Sequence, residues 1–181
     1  MKMMRRDENS GLLALTLLLG MGGAACCPAQ EIKESQVRAM MIVHLTKFVD
    51  WPAARSDAHT PFVLCVLDND QVGANLELLL ANKTVQGRPV VVRRDITLEQ
   101  AEQCHILYWA HPKRKQMDSF LATLLDGSVL TVSEDHQARS GTMIGLPIED
   151  GHVSIGINRS MAQHAHLNLS SRLLQIAAES R

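Results

Sequence analysis

Apolar positions recur at helical spacing from residue 31 to 50. Val37, Met41, His44 or Leu45, and Phe48 fall on one stripe, while Lys33, Glu34, Arg38 and Lys47 occupy other faces. The spacing predicts an amphipathic helix stopped by Pro52, with Trp51 pushed into the exit turn because a residue before proline avoids the helical region. A polar loop, "DAHTP", leads to "FVLCVL", a continuous apolar run of strand length that suits burial on both faces. "QVGANLELLLAN" returns to helical spacing, "VVVRR" is a second strand, and "TLEQAEQ" is a short helix that Thr97 can cap. "HILYWA" and "SVLTVS" read as a third and a fourth strand. Between them, "KRKQMDSFLATLLDG" forms a helix ending at Gly127.

Strand and helix alternating at this rhythm imply right-handed crossovers and a mostly parallel sheet. The rhythm then changes, because "TMIGLPI" and "HVSIGIN" flank "EDG", whose Asp-Gly pair signals an antiparallel hairpin. A short helix at "RSMAQHA", an extended "LNL" and a last helix capped by Ser170 and carrying Leu173, Leu174 and Ile176 close the chain. The expected fold is a three-layer α/β domain over residues 31–181, with a mostly parallel central sheet, helices on both faces and a C-terminal antiparallel hairpin.

The first thirty residues break the pattern. Lys2, Arg5 and Arg6 precede the apolar run "GLLALTLLLGMGGAA", which ends in small residues, the order of a secretory signal peptide cleaved between residues 25 and 30. The run is too short and too rich in glycine for a comfortable membrane span. A lipid anchor on Cys26 is the rival, although Gly23 stands three positions before it where a leucine is usual.

The full chain carries 18 basic and 19 acidic side chains, of which residues 1–30 hold three and two, so an exported domain keeps 15 and 17. That slightly acidic balance offers no basic stripe for nucleic acid, and two Trp, one Tyr and three Phe offer no stacking platform. The domain also keeps Cys65 and Cys104, which in an oxidising compartment read as a bridge, with two separate buried thiols as the alternative.

No catalytic constellation emerges from the spacing. There is no Gly-x-Ser-x-Gly elbow, and Gly141 and Gly145 are too loosely set to cradle a phosphate. Eight histidines include "HAH" at 164–166 and "CHILYWAH" at 104–111, but no third ligand converges with either pair, so surface or capping roles are expected and no metal. Asp68 and Asp70 sit at a strand's C-terminal end, where parallel sheets bind ligands, or serve a turn and a helix cap. Glu134 and Asp135 read as solvated loop residues, and Lys113, Arg114 and Lys115 as a solvated helix start.

The order of "VRAMMIVHLTKFVDWP", "FVLCVL", "VQGRPVVVRR", "CHILYWA", "SVLTVSE", "SGTMIGL", "VSIGIN" and "LNLSSRLLQIA" resembles that of the YfiR-like family of bacterial periplasmic proteins over nearly the whole mature chain. The resemblance implies a non-enzymatic repressor, without a cofactor, that acts on the periplasmic domain of a membrane-bound diguanylate cyclase and so controls cyclic di-GMP and biofilm formation. It further implies an outer-membrane lipoprotein that sequesters the repressor, a homodimer, and a bridge between Cys65 and Cys104. A second bridge known in the family would fall near "SGTMIGL", where this chain has no cysteine. Trp51, His164, His166 and Arg172 are the residues expected to meet a partner or ligand, with Trp51 alternatively packing across the corner after the first helix. His166 departs from the small residue that the family favours there. A periplasmic small-molecule sensor is the alternative function.

Overall fold

The computed structural model describes residues 33–68, 71–124 and 128–179. The expected signal peptide, the Cys26 anchor, Asp70 and the helix end at Gly127 lie outside them. Among the described residues, the helix predicted over 31–50 runs as α1 (Glu34–Leu45). The Thr46 hydroxyl turns back to the Val43 carbonyl at 2.7 Å, and the chain leaves through Lys47 and Phe48. Val49 and Asp50 then form a short strand, β1, so the helix ends well before Pro52. A tertiary ladder claims these two residues, and local spacing does not reveal it. The buried stripe is also rotated from the expected one. Arg38, Ala39, Ile42 and Leu45 face inward while His44 is exposed.

Strand β2 (Phe62–Val66) is buried at every position, as its unbroken apolar run requires. It pairs in parallel with β4 (Arg88–Arg94) on one side and β5 (Ile106–Tyr108) on the other. Beyond β5 the sheet continues in parallel through β6 (Leu130–Ser133) and β7 (Ile144–Gly145), then ends with antiparallel β10 (Gly156–Ile157). At the opposite edge β3 (Thr84–Val85) folds back on β4 through Gln86 and Gly87, both at positive φ, a hairpin absent from the sequence expectation. The seven-stranded order is β10-β7-β6-β5-β2-β4-β3. The chain therefore steps from β2 outward to β4, then crosses back to β5 on the far side, and the two directions part between β2 and β5.

Right-handed crossovers place α2 (Gln71–Leu80) on one face and α3 (Arg114–Leu124) on the other. Gly73 lets α2 lie close to the sheet, since a methyl group there would meet the Val66 side chain at 3.2 Å and that of Arg94 at 3.0 Å. Helix α1 packs beside α2, and Asn75 Nδ2 donates to the Ser35 hydroxyl at 3.2 Å. The β4–β5 crossover is only a 3₁₀ turn, Leu98–Gln103, opened by Thr97 as expected.

After β6 a four-residue helix, α4 (Gln137–Ser140), precedes β7. The "EDG" turn joins β8 (Ile148–Glu149) to β9 (His152–Val153), with Asp150 and Gly151 at positive φ, so the predicted hairpin is present. Then come α5 (Arg159–His164), β11 (Asn168–Leu169) and α6 (Ser171–Glu179). Ser170 caps α6 as expected, its hydroxyl accepting from the Leu173 amide at 3.2 Å. On α6 Leu173 is buried and Leu174 half-buried, but Ile176 is exposed.

Cys65 and Cys104 form a disulfide with Cα atoms 5.9 Å apart, joining the middle of β2 to the end of the 3₁₀ turn. Both residues are fully buried.

Candidate partner-binding surface

The two ends of the domain meet in an antiparallel ladder. Val49 pairs with Leu169 and Asp50 with Asn168, and the Ser170 amide donates to the Phe48 carbonyl at 2.9 Å. The Asn168 side chain adds a bond to the Asp50 carboxylate at 3.4 Å. Gln86, at the tip of the β3–β4 hairpin, donates to the Val49 carbonyl at 3.2 Å and holds the same corner from below. The ladder brings the segment carrying Trp51 beside the one carrying His166 and Arg172.

His164 and His166 do not share a strand face. His164 is the last residue of α5, exposed, with Nδ1 2.7 Å from the Ser160 carbonyl. His166 follows in the left-handed region at φ 57°. Its amide bonds the Gln163 carbonyl at 3.0 Å and the Leu167 amide bonds Ala162 at 2.9 Å, the paired closure that ends many helices and usually has glycine at this position. A histidine there pays steric strain and gains no buried contact, since its ring is exposed.

Arg172 lies in the first turn of α6, also exposed, where the positive end of the helix dipole disfavours a cation. It makes no hydrogen bond or ion pair with the described residues. Two side chains flanking β11 thus occupy positions that local stability does not favour, a pattern expected where function constrains a residue.

Trp51 lies beneath this surface. It is buried, its ring meets Phe62 edge-on at 5.0 Å, and its indole Nε1 donates to the His105 carbonyl at 3.2 Å. His105 stacks on Phe62 at 4.6 Å and is itself buried, so the surface or capping role expected for the histidines of "CHILYWAH" does not hold for it. Its Nδ1 accepts from the Val63 amide at 3.0 Å, which leaves the proton on Nε2, 3.1 Å from the Arg55 carbonyl. Burial, and then the nearby guanidinium groups of Arg55 and Arg88, push its pKa down to about 4.

Arg88 is fully buried and donates to the carbonyls of Arg55, Thr60 and Pro61 and to the Thr60 hydroxyl at 2.8–3.1 Å, and its Nη2 also lies 3.0 Å from His105 Nε2. Arg55 reaches the carbonyls of Glu102 and Cys104. These arginines pin the loop after Trp51 to the disulfide segment.

At the C-terminal ends of the parallel strands Asp68 is exposed, but the centre of that edge is closed. Glu134 accepts from the Tyr108 hydroxyl at 2.5 Å and pairs with Arg38 Nη1 at 3.1 Å, while Arg38 Nε donates to the Leu146 carbonyl at 3.2 Å. Glu134 is therefore not a solvated loop residue, nor does Arg38 face solvent; together they lock α1 over β5, β6 and the strand after them. Sequence spacing missed the pair because its members lie 96 positions apart, and the charge of each suggested a surface. His111 sits at the rim of this lock, exposed, with Nε2 4.0 Å from the Glu134 carboxylate and Nδ1 3.5 Å from an Asp135 carboxylate oxygen. The start of α3 at Lys113, Arg114 and Lys115 is solvated as expected.

On the opposite face of the sheet a groove of about 780 Å³ runs between the 3₁₀ turn and α3, floored by Leu98 and Phe120 and edged by Glu99, Glu102, Lys113 and Lys115. Among the described residues no group of three or more His, Cys, Asp or Glu side chains is arranged to hold a metal ion. No described helix is long and apolar enough to cross a membrane.

No curated protein matches the chain. A family model described as YfiR/HmsC-like matches residues 35–178, from the first turn of α1 to the last turn of α6, and so takes in both strands of the ladder that joins the ends of the domain. The chain therefore belongs to the YfiR/HmsC-like family.

Proposed function

We propose that the protein is a periplasmic regulator that binds the periplasmic domain of an inner-membrane diguanylate cyclase and represses it, with cyclic di-GMP and biofilm formation rising when the complex dissociates. It acts by binding and not by turnover. Family membership supports this role, and the buried Cys65–Cys104 bridge suits a chain that folds in an oxidising compartment. The expected signal peptide over residues 1–30 supplies the route of export. The observation that carries the proposal is the pair of locally disfavoured side chains, His166 in the left-handed region and Arg172 at a helix start, on either side of β11. An outer-membrane lipoprotein that sequesters the protein, and a homodimer, belong to the same proposal. Deleting the gene in its native host should raise cyclic di-GMP, and the tagged protein should co-purify with a membrane cyclase. Unchanged cyclic di-GMP together with no co-purified cyclase would show the proposal to be wrong.

The groove between the 3₁₀ turn and α3 favours a second reading, a small-molecule sensor, because about 780 Å³ is within the range of ligand sites. A thermal-shift screen with aromatic amino acids and vitamins tests it; no stabilisation by any compound counts against a sensor.

A further inference from the structure

Helices α1 and α2 lie side by side over one face of the sheet, and their outer surface exposes large apolar side chains. Leu78 is 78% exposed, and Leu79 and Met40 are each 38% exposed. Met40 and Val43 lie one turn apart on the outer side of α1, and Lys47, in the turn that follows the helix, borders the same hollow as Val43. Near the C-terminal ends of both helices, Val43, Leu79, Leu80 and Val85 floor a shallow hollow of about 390 Å³ with Lys47 and Lys83 at its rim. No acidic side chain lines it. The nearest carboxylate on the exposed side of α2, Glu77, is paired with Arg94 at 3.2 Å.

We propose that this face docks on an anionic lipid bilayer. The side chains are those of an interfacial surface, aliphatic groups that can enter the headgroup boundary and lysines whose long stems can follow apolar surface while the ammonium groups stay in water. A protein partner is disfavoured because the patch holds no Trp, Tyr or Arg, the residues that anchor such interfaces. Charge complementarity selects anionic lipid over neutral lipid, since both ionic groups at the rim are cationic. The docked protein would lie with its α1–α2 face turned toward the membrane.

The test is co-sedimentation of the exported protein, recovered from the cell with its N-terminus read by mass spectrometry, with vesicles of phosphatidylglycerol and phosphatidylcholine or of phosphatidylcholine alone. Binding is expected to the first mixture, to weaken with salt, and to be several-fold lower on the second. In the same background Lys47→Glu with Lys83→Glu should lower partitioning about 25-fold or more. Leu78→Ser should lower it about tenfold. Both variants alter exposed side chains, and an unchanged melting temperature verifies that each is folded. Equal binding to both vesicle types, no binding to either, or variants that partition like the wild type would overturn the proposal. So would a Leu78→Ser variant that changes the oligomeric state in the absence of vesicles, because the patch would then belong to a second copy of the chain.

Discussion

The Trp51 indole donates to the carbonyl of His105, 3.2 Å away, and so ties the exit of the first helix to the residue that follows Cys104 of the disulfide. That single bond links three features: the corner before Pro52, the neutral imidazole of His105 and the arginines that hold the adjoining loop. Trp51→Ala should cost about 3–5 kcal/mol, because it empties a buried ring site beside Phe62 and leaves a carbonyl without its donor. Urea denaturation measures the loss.

His105 makes stability depend on pH in a defined direction. Its pKa falls from the ordinary 6.5 to about 4 on folding, so between these values the unfolded chain binds more protons and stability rises with pH. The contribution is fully present above about pH 6.5 and is lost as pH falls through about 4. At most about 3 kcal/mol should disappear between pH 7 and pH 4. Replacing His105 by Asn should flatten that part of the profile in chemical denaturation followed at several pH values, and an unchanged slope would contradict it.

Reduction of the Cys65–Cys104 bridge reopens a loop spanning 39 positions. The expected loss is about 4 kcal/mol in the chain-entropy description, seen as a lower urea midpoint in the presence of a reductant. Mass spectrometry of unreduced, alkylated protein should find no free thiol at either position.

Arg38 and Glu134 form a largely buried pair, and removing one partner leaves the other charged and underpaired. Arg38→Met should destabilise by about 3 kcal/mol. Adding Glu134→Gln should recover part of that loss, because the glutamine still accepts from Tyr108 and carries no charge. A double-mutant cycle with no coupling between the two positions would contradict the lock.

His166→Gly should raise stability by about 0.5–1 kcal/mol, since glycine adopts the left-handed backbone without steric cost. Thermal melting of the two proteins compares them directly. A loss of stability would mean that the ring makes a contact the fold depends on.

Much of this fold was legible in the sequence. The unbroken apolar run of β2 gave away a strand buried on both faces, and the Asp-Gly pair at residues 150–151 gave away the hairpin. Thr97 and Ser170 marked true helix starts. The end of α1 was not legible, because Val49 and Asp50 are drawn into a ladder with residues 168–169, and such long-range pairing leaves no local trace. Arg38, His105 and Glu134 were misjudged for the same reason: their charge or polarity suggested solvent, whereas distant carbonyls and a distant counter-charge make burial tolerable. His164, His166 and Arg172 are exposed, and their local spacing in the sequence carries no trace of the ladder that sets β11 beside β1.

The most direct test of the proposed function is the affinity of the mature protein for the purified periplasmic domain of the cyclase, measured by calorimetry for the wild type and for Arg172→Glu. The wild type should bind, and the variant should bind at least about tenfold more weakly while melting at the same temperature or slightly higher, since a carboxylate suits the start of α6. Equal affinities, or a wild type that does not bind at all, would contradict a regulator that works through this surface.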